Sequence, residues 1–132
     1  MLAVSSYKPD YVQACHANLS AQLDSFRSLP AGKAKDAFAP GYFNAMLLVL
    51  DSCFRHRQRS NEGKDGGPLN ELRMLCDGVK ENGAVLAKNA TIKYRAETSV
   101  TGIGVGEAIV LDDQTFEALA DAVFADVLAK YP

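Results

Sequence analysis

The chain has 132 residues, 48% of them hydrophobic and 23% charged, with a formal net charge of −2. That length suits one domain and is short for two. The composition is that of an ordinary globular chain, so disorder is not the expectation, and the slightly acidic balance argues against a general nucleic-acid binder, whose footprint is strongly basic. The opening stretch MLAVSSYKPD has no signal-peptide core. The longest apolar run, residues 45–50, falls far short of the roughly 20 residues a bilayer needs. A cytoplasmic protein without membrane contact is therefore expected.

Pro9 and Asp10 suit the first turn of a helix. Val12, Cys15, Leu19, Leu23, Phe26 and Leu29 recur at spacings of three and four, which predicts one helical stripe ended by Pro30 and Gly32. KAKDAFA predicts at most a helical turn before Pro40. A second helix is expected from Pro40 to about Ser60. Its first half, GYFNAMLLVLDSCF, is apolar nearly all round and reads as a buried central helix. Asn44, Asp51 and Arg55 share a face, and Asp51 and Arg55 stand at i, i+4, where they can pair. The following RHRQRS is polar all round and must emerge toward water.

A third helix begins at GGP, with Gly67 as N-cap and Pro68 as first residue. Leu69, Leu72, Cys76 and Val79 form its stripe, and Gly83 ends it. The period then changes. TIKYR alternates as a half-buried strand does, and TGIGVGEAIVL reads as a hairpin turning at Gly106-Glu107. Asp112 or Asp113 caps a last helix with the stripe Phe116, Leu119, Val123, Val127 and Tyr131. The expected fold is α+β and mainly helical. Four main helices form a bundle around a buried central helix, in one domain over residues 1–132, with a small β element at about 91–111. A helix apolar on most sides needs neighbours on most sides, so a homodimer through helical surface is expected.

The chemistry-bearing residues point to no cofactor and no metal. GIGVG looks like a dinucleotide loop, but a strand is predicted after it where that chemistry needs a helix N-terminus. The two histidines, His16 and His56, lie on different predicted helices, and no CxxC or HExxH occurs. Cys15, Cys53 and Cys76 fall on apolar stripes and read as buried small hydrophobes. A thiolate at Cys53 assisted by His56 is the reactive alternative.

The most distinctive stretch is FRHRQRSNEGKDGGPLNELR, residues 54–73. Arg55, Arg57, Arg59, Lys64 and Arg73 outnumber Glu62, Asp65 and Glu71 there, whereas residues 112–132 carry five carboxylates against Lys130. The basic corner can pair with the acidic last helix, within the chain or across a dimer. Alternatively it binds a small anion or an acidic partner. Arg55, Arg59, Lys64 and Arg73 are the candidate anion-binding residues, beside the free amides after Pro68, with His56, Arg57 and Asp51 as further candidates.

HRQRSNEGKDGGPLNELRMLC, with the later TIKY and VGEAIVL, resembles a family of small uncharacterised bacterial proteins marked by a GKDG-x-PLNE-x-RML run. The resemblance covers roughly residues 42–128. It implies a shared architecture and carries no activity with it. The chain also resembles, more distantly, helical ribonuclease domains of the HEPN type, some of which carry an ELR run. Their R-x₄₋₆-H site implies a histidine downstream of Arg73, and ELRMLCDGV has none. The expected function is a self-associating, non-catalytic binding module with an anion site at the 54–73 corner. The alternative is an enzyme acting on a phosphate-bearing substrate, such as a HEPN-like ribonuclease.

Overall fold

The computed structural model describes residues 2–132. Helix α1 spans Pro9–Arg27, with Pro9 at its start and Asp10 in its first turn. Val12, Leu19, Leu23 and Phe26 are its buried stripe, while Leu29, beyond the helix end, stays 40% exposed. Helix α2 spans Lys33–Cys53 and contains Pro40. A proline inside a helix removes one backbone bond. Here Pro40 and Asp36, whose carbonyl loses its partner, are both exposed, so water can supply the missing bond. Phe38 and Tyr42, one turn apart across Pro40, both stack on Phe26 of α1, and the Tyr42 hydroxyl donates to the Gln22 carbonyl. That packing carries the helix through the proline.

The expected continuation of α2 to Ser60 does not occur. The helix ends at Cys53, and Phe54 turns out of it. Residues 56–58 then run beside the N-terminal segment: Val4 N–H donates to the His56 carbonyl, and Gln58 N–H to the Val4 carbonyl, each at 2.8 Å. This parallel contact lays Leu2 and Ala3 against the basic corner. A short helix α3, Arg59–Glu62, follows. Gly66, at φ +81°, allows the chain to pass Lys93 so closely that an added Cβ would sit 2.3 Å from the Lys93 carbonyl oxygen.

Helix α4 spans Pro68–Glu81 with Gly67 at its N-cap, and α5 spans Asp113–Lys130 with Asp112 accepting the Thr115 amide. Between them the expected β element is absent. Among the described residues there is no sheet, only isolated bridges of Val4 with Arg57 and of Val85 with Ala108. The fold is therefore all-helical, not α+β. Residues 103–105 form no ladder with 107–111 among the described residues; the bond from Glu107 N–H to the Gly104 carbonyl only closes a turn. Instead, segment 106–109 exchanges backbone bonds with 84–86, and 96–98 forms one 3₁₀ turn. The alternation in these stretches is real, because Leu86, Ile92, Ile103, Ile109 and Leu111 are buried. Side chains satisfy much of the backbone in place of a partner strand. Asn89 accepts the amides of Thr91 and Ile92, and the buried Glu71 carboxylate accepts those of Val100 and Thr101.

The four long helices form a bundle. α2 packs on α1, α4 and α5, and α5 in turn touches α1, α2 and α4. One core runs through it, from Val12 and Leu23 to Phe54, Leu75, Phe116 and Tyr131. α2 is not buried all round: it turns Phe43, Met46, Leu47 and Leu50 inward and leaves Phe38 and Val49 at the surface. Among the described residues no helix is long and apolar enough to cross a membrane.

Candidate functional site

The sharp exit from α2 at Phe54 places Arg57 against the core with only 4% of its surface exposed. A buried guanidinium requires partners. Arg57 Nε donates to Glu62 Oε1 at 2.8 Å, and Nη1 donates to Asp51 Oδ1 at 2.9 Å and to the Phe54 carbonyl at 3.0 Å. Nη2 is buried and meets no acceptor among the described residues. Asp51 therefore pairs with Arg57, not with Arg55 at i, i+4 as its helical spacing suggests. Arg55 lies beyond the early end of α2 and forms no ion pair with Asp51 among the described residues.

Glu62, 1% exposed, is the hub. Besides Arg57 it accepts Nε of Arg73 at 3.0 Å, Nη2 of Arg73 at 2.7 Å and the Asn70 amide at 2.7 Å. Burial pushes its pKa up. The Arg73 hydrogen bond, the charges of Arg57 and Arg73 and the Asn70 bond outweigh that, and hold the carboxyl below the ordinary value. The reciprocal hydrogen bond raises the pKa of Arg73. Asn70 also ties the turn together, donating to the Gly63 carbonyl and accepting from Gly66 N–H.

The acidic last helix does not cover these arginines. Asp113 and Glu117 bind Arg27 of α1, and Asp121 binds His16. Asp126 instead reaches the start of α4, accepting from Leu69 N–H at 3.3 Å. Lys130 bridges Asp126, Asp65 and the Glu62 carbonyl. The amides after Pro68 thus already face a carboxylate. Lys64 is exposed and lies outside the arginine cluster, its carbonyl accepting from Lys93 N–H.

Arg55, His56, Arg57, Arg59 and Arg73 do come together. They line one cavity of about 280 Å³ whose apolar wall is Leu2 and Ala3. Arg57 and Arg73 are committed to Glu62 and Asp51. Arg55, His56 and Arg59 are exposed, and no ion pair engages them among the described residues. Four arginines and a histidine face two carboxylates, a lining suited to an oxyanion, since a guanidinium presents a planar fork of donors to phosphate or carboxylate. In the sequence Glu62 is one of three carboxylates of the basic corner, with Asp65 and Glu71, and nothing local marks it as the hub; Asn70 was not singled out.

Thiol chemistry has no support here. Burial, with the neighbouring Cys15, pushes the Cys53 thiol up to about 12, and Cys53 leans on the Val49 carbonyl, not on His56. Burial likewise pushes Cys76 up to about 12. Among the described residues no three His, Cys, Asp or Glu side chains are grouped to hold a metal ion. The chain matches no protein-family model, no curated protein and no solved structure.

Proposed function

We propose that the protein is a cytoplasmic, non-catalytic binding module that takes a phosphate- or carboxylate-bearing ligand in the arginine cavity. One observation carries the reading: Arg55, His56 and Arg59, which have no carboxylate partner among the described residues, share a cavity with Arg57, whose buried Nη2 meets no acceptor among them. Glu62 and Asp51 fix Arg57 and Arg73 in place, so the cavity is preorganised and the ligand is met mainly by Arg55, Arg59 and His56. Each charge-assisted hydrogen bond contributes roughly 1.5–3 kcal/mol, and salt weakens the exposed share of that attraction.

The test is calorimetric titration of inorganic phosphate at low and moderate salt. Wild type and Lys64→Ala bind alike, more weakly as salt rises, while Arg55→Ala and Arg59→Ala each lose roughly tenfold in affinity, the worth of about one such bond. No heat from wild type at low salt, or equal losses in Lys64→Ala and Arg59→Ala, overturns the reading. His56 in the same cavity as Arg73 is the feature that favours the catalytic alternative. Cleavage of a short single-stranded RNA in the same samples, abolished by His56→Ala, would establish it.

A second feature supports self-association. Leu29, Pro30, Ala34, Lys35 and Phe38 line a largely apolar groove of about 430 Å³ at the start of α2, and Phe38 stands 51% exposed at its edge. A groove and a projecting ring on the same patch are self-complementary under a two-fold axis. The occupant we propose is a second copy of the chain, each Phe38 entering the partner's groove.

A further inference from the structure

A second cavity, of about 230 Å³, adjoins the arginine cavity: Arg55 lines both. The two are joined again beneath the surface, because Asp51 of the second cavity binds Arg57 of the first through Oδ1. Their chemistries differ. The first sets arginines and His56 against the apolar wall of Leu2 and Ala3, with no carboxylate in its lining. The second combines Lys80 and Arg55 with the Asp51 carboxylate, the Ser52 side chain and the apolar wall of Leu48. A carboxylate in the lining disfavours a second phosphate there by like-charge repulsion. It accepts hydrogen bonds from hydroxyl groups, however, and only one of its oxygens is committed to Arg57. Lys80 is exposed on α4 and has donors to offer a hydroxyl oxygen.

The geometry points to one elongated ligand spanning both cavities through Arg55: a phosphate monoester whose body carries hydroxyl groups. The phosphate lies among Arg55, His56 and Arg59, and the hydroxyls meet Asp51 and Lys80. This rests on the anion-binding reading above and adds the class of molecule to which the anion belongs.

The probes are inorganic phosphate and ribose 5-phosphate, titrated calorimetrically into wild type and Lys80→Ala. In wild type, ribose 5-phosphate binds roughly tenfold or more tightly than inorganic phosphate, as one further bond to a charged group requires. Lys80→Ala narrows that gap and leaves the affinity for inorganic phosphate unchanged. Equal affinities in wild type overturn the inference while leaving the anion site standing. So does a loss in Lys80→Ala that is the same for both probes. If neither probe binds wild type, the anion-binding reading fails and this inference fails with it.

Discussion

Glu62 accepts hydrogen bonds from two arginines and an asparagine while almost wholly buried. Removing the carboxylate leaves Arg57 deep in the protein with its charge half-answered, and breaking a buried pair in this way costs about 3–5 kcal/mol. Glu62→Ala should lower the urea midpoint most. Asp51→Ala should lower it less, since Glu62 still holds Arg57, and Asp121→Ala, on a 59%-exposed side chain, should scarcely move it. Any other ranking of the three midpoints contradicts the hub. The same residue sets an acid limit. Its folded pKa lies below the ordinary value of 4.5, so the unfolded chain takes up the proton first as pH falls. The stabilisation is fully present above about pH 4.5 and is lost as pH falls through the lower folded value. In Glu62→Gln this part of the acid sensitivity should vanish, which urea titrations at a series of acidic pH values would reveal.

At the scale of elements, close approach and open space make opposite demands on two helical glycines. An added Cβ at Gly78 of α4 would lie 2.6 Å from Ile109 Cδ1 and 2.7 Å from the Val85 carbonyl oxygen. Gly78→Ala should therefore destabilise by about 1–3 kcal/mol. Gly41 of α2 has nothing within 4 Å, so Gly41→Ala should gain up to about 1 kcal/mol from helix propensity. Paired thermal or urea unfolding checks the opposite signs. Helices α1, α4 and α5 were legible because their stripes, Pro9, Gly67-Pro68 and Asp112 all act locally. α2 was misjudged at both ends. Pro40 marks a break only until Phe38 and Tyr42 stack on Phe26, a contact with another helix, and the exit at Phe54 is fixed by the distant Val4. Residues 91–111 read as a β element because burial alternates there. Of the acceptors that replace a partner strand, Asn89 acts locally, on amides two and three residues on, whereas Glu71 reaches Val100 and Thr101 from another element and lies outside any local pattern. The candidate site was legible as a set of cations. What sorts Arg55, Arg59 and Arg73 from Lys64, and binds Asp51 to Arg57, is the fold.

For the whole molecule, the bundle leaves two unlike surfaces exposed: the apolar groove beside Phe38 and the cationic cavity beside Arg55. If the groove receives a second copy, sedimentation equilibrium gives a dimer mass at micromolar concentrations, and Ala34→Glu, which puts a charge in the groove and leaves the Phe38–Phe26 stack in place, returns it to the monomer without loss of helicity. A monomer mass for wild type across that range contradicts self-association. The central claim concerns the other surface, that the cavity built by the end of α2, α3 and α4 binds an anion. The most direct measurement is the NMR response of the arginine Nε–Hε groups to inorganic phosphate at low salt. The account predicts saturable shifts of Arg55 and Arg59 along one binding curve, with Arg95, an exposed arginine outside the cavity and 3.9 Å from Glu97, left unmoved. Shifts that grow without saturation and equally in Arg95, or no shift at Arg55 and Arg59, would contradict it.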